Sequence, residues 1–147
     1  MQLRWNGSRE IEAPVRRIWD RLLDPRVVAR AAGADEDVVI RDPQHYTVTA
    51  RIGVLMFKLP IALEVEIGDL VEEVSGRQRV RGTGHGTGLV ATTDFLLQPL
   101  GPERTRLSWS AETTVQGRLA EFGAALVEPL IRRLTEDFWD AFAEGCR

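Results

Sequence analysis

A single cysteine, Cys146, stands next to last in 147 residues, so neither a disulfide framework nor a thiolate metal cluster can be built. That usage fits a reducing, cytoplasmic setting. Histidine is scarce too. His45 and His85 are the only two, and the strand patterns described below turn both outward. No cluster of histidines and carboxylates has metal-ligand spacing, and no G-x-S-x-G elbow offers a nucleophile. Cys146 sits in a terminus expected to fray. The sequence therefore nominates no catalytic residue, no metal and no cofactor. Long apolar runs are also missing. The longest, Ile52 to Phe57, falls far short of the ~20 residues that span a bilayer, and the opening "MQLRWNGSRE" lacks the apolar core of a signal peptide. The chain reads as soluble. A net charge of -3 argues against a nucleic-acid partner, which selects a basic protein face.

What is present is hydrophobic periodicity. A chain of this length buries ~70% of its unfolded surface around one core, and residues 1–147 read as one domain. Residues 1–13 alternate as a strand, with Leu3, Trp5 and Ile11 in one phase. Pro14 opens a helix in which Val15, Ile18, Trp19, Leu22 and Leu23 share a face, and Asp24-Pro25 ends it. A second short helix follows over about 26–32. Six strand patterns come next, from "VVIR" through "HYTVTARIGV", "FKLPIALEVEIG", "RQRVRGTGHG" and "LVATTDFLLQ" to "TRLSWSAETTV". Such alternation belongs to antiparallel strands with one buried face. From Arg118 the period changes. Leu119, Phe122, Leu126, Leu130, Leu134, Phe138 and Ala141 recur every three or four residues, which predicts one amphipathic helix to the end, bent at Pro129. A sheet with one apolar face needs a cover, and only this helix is long enough.

The stretch "VRGTGHGTGLVA" places glycine at 82, 84, 86 and 88. A phosphate-binding loop would pass from the glycines into a helix, whereas here a strand follows. Period two is the period of a strand. Arg77, Arg79 and Arg81 occupy one phase and want water, so Gln78, Val80 and the glycines face inward. The arginine stripe reads as a solvated face, with an acidic partner or membrane surface as the sharper alternative. A hairpin centred on Ser75-Gly76 sets Gly82, Gly84 and Gly86 opposite Asp69, Ile67 and Val65, and pairs Glu72 with Arg79 and Glu66 with His85. Each interior glycine costs roughly 0.5–1 kcal/mol relative to alanine. The space so cleared calls for a close-packed helix or a ligand. Asp69 and Asp94 are the two carboxylates whose phase would let them face that space.

The segments Ile11 to Pro14, Ile18 to Pro25, Gly82 to Gly86 and Gly117 to Gly123 give "I-x-A-P", "I-W-x-x-L-x-D-P", "G-x-G-x-G" and "G-R-L-A-x-x-G". In this order they resemble the SRPBCC superfamily of START-like, helix-grip proteins, and within it the CoxG family of carbon monoxide dehydrogenase components. The segment Ala31-Ala32-Gly33-Ala34 departs from the Cys-Ile-Pro-Gly-like sequence usual in that family. The resemblance implies an α+β fold in which a seven-stranded antiparallel sheet curls around a long C-terminal helix, with two short helices after the first strand. It also implies a tunnel for a lipophilic ligand, membrane docking of the dehydrogenase and handling of a respiratory quinone.

Combined with the phases, this nominates Tyr46, Val48, Phe57, Leu59, Ile61 and Leu63 as tunnel lining. Gly82, Gly84, Phe95 and Trp109 join them from the later strands, and Phe122, Leu126 and Leu130 from the helix. The Tyr46 hydroxyl is the one polar handle expected, as such pockets use few. The functional expectation is a non-enzymatic carrier of a small hydrophobic ligand, a quinone or lipid, accessory to a molybdenum hydroxylase. Transient contact with a membrane surface or a dehydrogenase partner goes with it. The alternatives are a cyclase or aromatase on the same fold, and an assembly or membrane-recruitment adaptor of a carbon monoxide dehydrogenase-like complex.

Overall fold

The computed structural model describes residues 1–34, 37–54 and 56–147, leaving out the side chains at 54 and 57. Its strands are β1 (Gln2–Ile11), β2 (Val39–Asp42), β3 (His45–Val54), β4 (Phe57–Val71), β5 (Ser75–Gly84), β6 (Thr87–Gly101) and β7 (Arg104–Gly117). They form one antiparallel sheet in the order β1-β7-β6-β5-β4-β3-β2. Helices α1 (Val15–Leu22) and α2 (Pro25–Ala31) carry the chain from the β1 edge to the β2 edge. After β7 come a single turn, α3 (Arg118–Glu121), and the long α4 (Ala124–Cys146). This is the helix-grip arrangement.

Local chemistry explains the boundaries. Asp24 caps α2 by accepting the Arg26 N–H at 3.0 Å, and Pro25 occupies the first helical position, where a missing donor is harmless. Between β5 and β6, His85 and Gly86 both take positive φ, 50° and 73°, as a two-residue turn matching the twist of its strands requires. The expected single helix from Arg118 is interrupted instead at Gly123 (φ 87°). Pro129 lies inside α4.

The β4–β5 hairpin corrects the expected register. Its turn is Glu72 to Val74, with Glu73 at φ 59° and Asp69 at φ 51° beside a register shift. Gly82 consequently pairs with Leu63 rather than Asp69, and Arg79 pairs with Glu66. The displacement along β4 is even, so the side chains of β5 keep their faces, while the irregularity between Gly68 and Val71 turns Asp69 outward. Glu72 turns to Arg16 of α1 instead, at 2.8 Å. Gly76 lies within β5 opposite Phe95, and the Phe95 ring fills the place a Cβ would take.

The inward face divides into two clusters. The larger gathers Ile11, Ile18, Trp19, Phe95, Trp109, Trp139 and Phe142 among others. The smaller holds Leu3, Ile52, Ile61, Val115, Leu119, Val127 and Ile131. Cys146 is fully buried in the larger cluster, so the end of α4 is packed and not frayed. Trp109 stacks on Trp139 with ring centroids 5.2 Å apart, and its indole lies over Gly7, its partner on β1.

Two glycines of β1 and β6 separate space from conformation. A Cβ at Gly7 would collide with the Trp109 ring, while one at Gly88 meets nothing within 4 Å. Gly7→Ala should therefore lower stability in urea unfolding by about 1–3 kcal/mol. Gly88→Ala should stay within about 0.5 kcal/mol of the parent.

Candidate functional site

Between the two clusters the inward face of the sheet carries short side chains. Ala50 of β3, Val80 of β5, Ala91 and Thr93 of β6, and Thr113 of β7 stop below α4. None of Ala50, Ala91, Thr93 and Thr113 belongs to either cluster. Beneath α4 they leave a cavity of about 230 Å³. Tyr46, Val48, Leu63 and Val65 form its wall on the β3–β4 side, Val28, Ala29 and Ala32 of α2 another, and Ile131, Leu134, Thr135, Phe138 and Trp139 the roof. Arg51, with 60% of its side chain exposed, joins this lining and faces Asp37 at 3.6 Å.

Tyr46 is 3% exposed, and its hydroxyl has no hydrogen-bond partner. Gln78, the side-chain amide that bears on it, stands outside hydrogen-bonding geometry. Burial raises the phenol far above its ordinary pKa, and the Asp24 charge adds to this. Tyr46 is thus a neutral donor held in an apolar chamber. The indole N–H groups of Trp5 and Trp109 are also buried without acceptors. Trp5 and Trp109 do not line the cavity.

Of the thirteen residues expected at the tunnel, Tyr46, Val48 and Leu63 line this cavity. Leu59, Ile61 and Leu130 pack in or against the smaller cluster. Phe95 and Trp109 are buried in the larger one, against Trp19 and Trp139 respectively. The space above Gly82 is taken by Leu63, Ile61 and Leu89, and Gly84 lies against the Pro60 carbonyl. Phe122 and Leu126 are 42% and 36% exposed and do not line the cavity. The Phe57 side chain falls outside the described residues.

Phe122 and Leu126 depart from expectation for two geometric reasons: Phe122 ends α3, before the break at Gly123, and Leu126 begins a drifting row on α4. At 3.6 residues per turn, a strict i, i+4 row moves round the helix by about 40° at each step. The row that starts at the exposed Leu126 therefore reaches the cavity at Leu134 and Phe138, beside the buried stripe of Val127, Ile131, Trp139 and Phe142. Ala91, Thr93 and Thr113, which open the chamber, are not among the expected lining. Their signal is small or hydroxyl side chains on inward phases of strands otherwise filled by Leu, Phe and Trp.

The polar candidates lie elsewhere. Asp69 and Asp94 are exposed, not turned inward, and Arg77 binds Asp94 at 2.6 Å and approaches Asp69 at 3.8 Å. Arg79 also reaches Asp69, so the arginine stripe is partly neutralised by its own face. His45 pairs with Asp42 at 2.9 Å on the surface, and His85 is exposed in its turn. Among the described residues no three His, Cys, Asp or Glu side chains converge as a metal site, and no helix is long and apolar enough to cross a membrane.

The family model for CoxG, a carbon monoxide dehydrogenase subunit, matches residues 7–146. The chain belongs to the CoxG family. Among curated proteins, none matches it. Of solved structures, a conserved protein from Geobacillus kaustophilus superposes with a TM-score of 0.87 at 23% identity, covering 98% of this chain and 95% of that one. A START superfamily protein from Mycobacterium smegmatis gives 0.73 at 14% identity, over 97% and 96%. The Zhui aromatase/cyclase from Streptomyces sp. R1128 gives 0.72 at 14%, over 99% and 94%. At these identities the superpositions establish the START-like fold of this CoxG family member.

Burial places Cys146 among the packed groups of this family member, with its thiol pKa raised to about 11. The unfolded chain ionises near 9, so it binds fewer protons than the native state between those values. Stability of the Cys146 protein should be fully present below pH 9 and fall as pH rises towards 11, measured against Cys146→Ala. The native thiol should also react with iodoacetamide far more slowly at about pH 8 than it does in urea.

Proposed function

We propose that the protein binds and carries a small lipophilic molecule in the cavity beneath α4, without transforming it. The observation that supports this most is an apolar chamber holding one buried, unpartnered hydroxyl, that of Tyr46. A volume of about 230 Å³ lies below the ~300–1,000 Å³ of pockets that enclose a whole drug-sized ligand. It suits a single ring or head group whose tail leaves between α4 and β3. A quinone or a lipid with a compact polar end meets that description. Transient contact with a membrane surface or a dehydrogenase partner follows from the same reading, since a lipophilic cargo must be loaded and delivered.

The competing reading is an enzyme of the aromatase/cyclase type. Acid–base catalysis needs positioned titratable groups in proton-transfer reach. Among the described lining residues Tyr46 is the one buried titratable group, and its raised pKa keeps it protonated at neutral pH. Arg51 is largely solvated and paired with Asp37. This arrangement favours holding over turnover.

Native mass spectrometry of protein purified without detergent should find one extractable lipophilic molecule per chain. Ala91→Leu, which pushes a side chain into the chamber floor, should carry markedly less. An empty wild-type protein that also fails to take up 1,4-naphthoquinone, read by quenching of its tryptophan emission, would contradict the reading.

A further inference from the structure

Arg9 breaks the pattern of β1. Leu3, Trp5, Gly7 and Ile11 share its inward phase, and its partner on β7 is the buried Leu107. An arginine on such a phase needs partners for its charge. Arg9 finds two on α4, Glu136 at 2.5 Å and Asp140 at 2.8 Å, and its guanidinium lies 5.0 Å from the Trp109 ring centre. Burial opposes the charge, yet hydrogen bonds to the two carboxylates raise its pKa above the ordinary value. The other carboxylates of α4 pair along the helix itself or at its end, Glu128 with Arg132, Asp137 with Arg133 and Glu144 with Arg147.

Position decides what this hold does. Glu136 and Asp140 stand about one turn apart, roughly 6 Å along the axis, so a single guanidinium grips the helix at two points. Two residues along a helix is a rotation of about 200°, which sets Glu136 and Asp140 on the flank opposite Leu134 and Phe138. Those two belong to the chamber roof, and the chamber opens beside Leu134, which is 39% exposed. On that flank α4 faces Val48 and Ala50 of β3 across the cavity. The helix is gripped on one flank and spans a gap on the other.

We propose that Arg9 is a clamp on α4 that sets how fast cargo enters and leaves the chamber. Widening the mouth lifts the Leu134 flank, and lifting rolls α4 against the two ionic contacts on its far flank. Arg9 does not line the chamber, so it is a positioning residue: it governs the barrier to opening and not the fit of the occupant. Weakening the clamp therefore quickens entry and release together and leaves affinity nearly unchanged. The inference rests on the binding reading above and adds the step that limits exchange.

Stopped-flow release of 1,4-naphthoquinone, read by recovery of tryptophan emission, tests the clamp. Raising NaCl from ~0.05 to ~1 M shortens the screening length to about 3 Å, which weakens ion pairs and spares apolar packing. Wild type should release about threefold or more faster at the higher salt. Arg9→Gln should release that fast already at low salt, show no further acceleration, and keep Kd within about twofold of wild type. Arg4→Gln, which removes the exposed pair with Glu112 on the outer face of β1, should release as wild type does. Asp140→Asn keeps the Glu136 contact and should fall between wild type and Arg9→Gln. Since the Asp140 side chain is 63% exposed, this variant carries the test if Arg9→Gln fails to fold. Release at the wild-type rate from the Arg9 and Asp140 variants, or the same acceleration in Arg4→Gln, overturns the clamp and leaves the binding reading intact. An empty wild type that takes up no quinone overturns both.

Discussion

The stack of Trp109 on Trp139 fixes how far α4 stands above the sheet, and the site follows from that distance. The indole of Trp109 can lie flat because Gly7 opposite it has no side chain. Arg9, two residues along β1, places its guanidinium 5.0 Å from the Trp109 ring and reaches Glu136 and Asp140 of α4 at 2.5 and 2.8 Å. One end of α4 is thereby clamped to β1 and β7. Nearer its start, Val127 and Ile131 settle into the smaller cluster with Val115 and Leu119. Between these two supports Ala91, Thr93 and Thr113 are too short to reach the helix. Held at both ends by large side chains, α4 cannot collapse onto small ones, and a chamber is the result.

That chamber has an energetic consequence. The cavity is open beside Arg51 and Leu134, and water against its apolar walls forfeits contacts that a lipophilic occupant would restore. Domains of this size are stable by only ~5–15 kcal/mol in total. An occupant that restores contacts and satisfies the Tyr46 hydroxyl adds to this by mass action. Fold and ligand are therefore coupled: the packing that clamps α4 creates the space, and the space favours a guest.

The glycines of β5 have a different role from the one their spacing suggests. Neighbouring leucine and isoleucine side chains fill the place above Gly82, the Pro60 carbonyl closes on Gly84, and Gly86 is a turn residue beside Arg118. They allow β4 and β5 to draw close where the smaller cluster forms. The cleared floor lies further along the sheet.

Most of the architecture is legible in the sequence because period two and period 3.6 are strong signals on strands such as Tyr46 to Ile52 and on α1. The shifted hairpin turn leaves the phases of β5 correct, and the β4 pattern breaks only at the irregularity after Gly68, where Asp69 turns outward to Arg77 and Arg79. The site is harder to read. Tyr46, Val48 and Leu63 can be picked out as inward residues, yet nothing local distinguishes an inward residue in a cluster from one beside a gap. That distinction arises when separate strands and α4 come together, as with Phe95 and Trp109, which are core, and Ala91 and Thr93, which are floor. The helix face fails at its start: Phe122 ends α3 before the break at Gly123, and Leu126 stands at the exposed end of a drifting row. The central claim concerns what lies between α4 and the small-residue floor, and crystallographic density there decides it. The account predicts a compact, non-aqueous feature bounded by Ala91, Thr93 and Thr113, with an atom in hydrogen-bond range of the Tyr46 hydroxyl. Leu134 and Phe138 folded down to fill the space, with nothing bound, would contradict it.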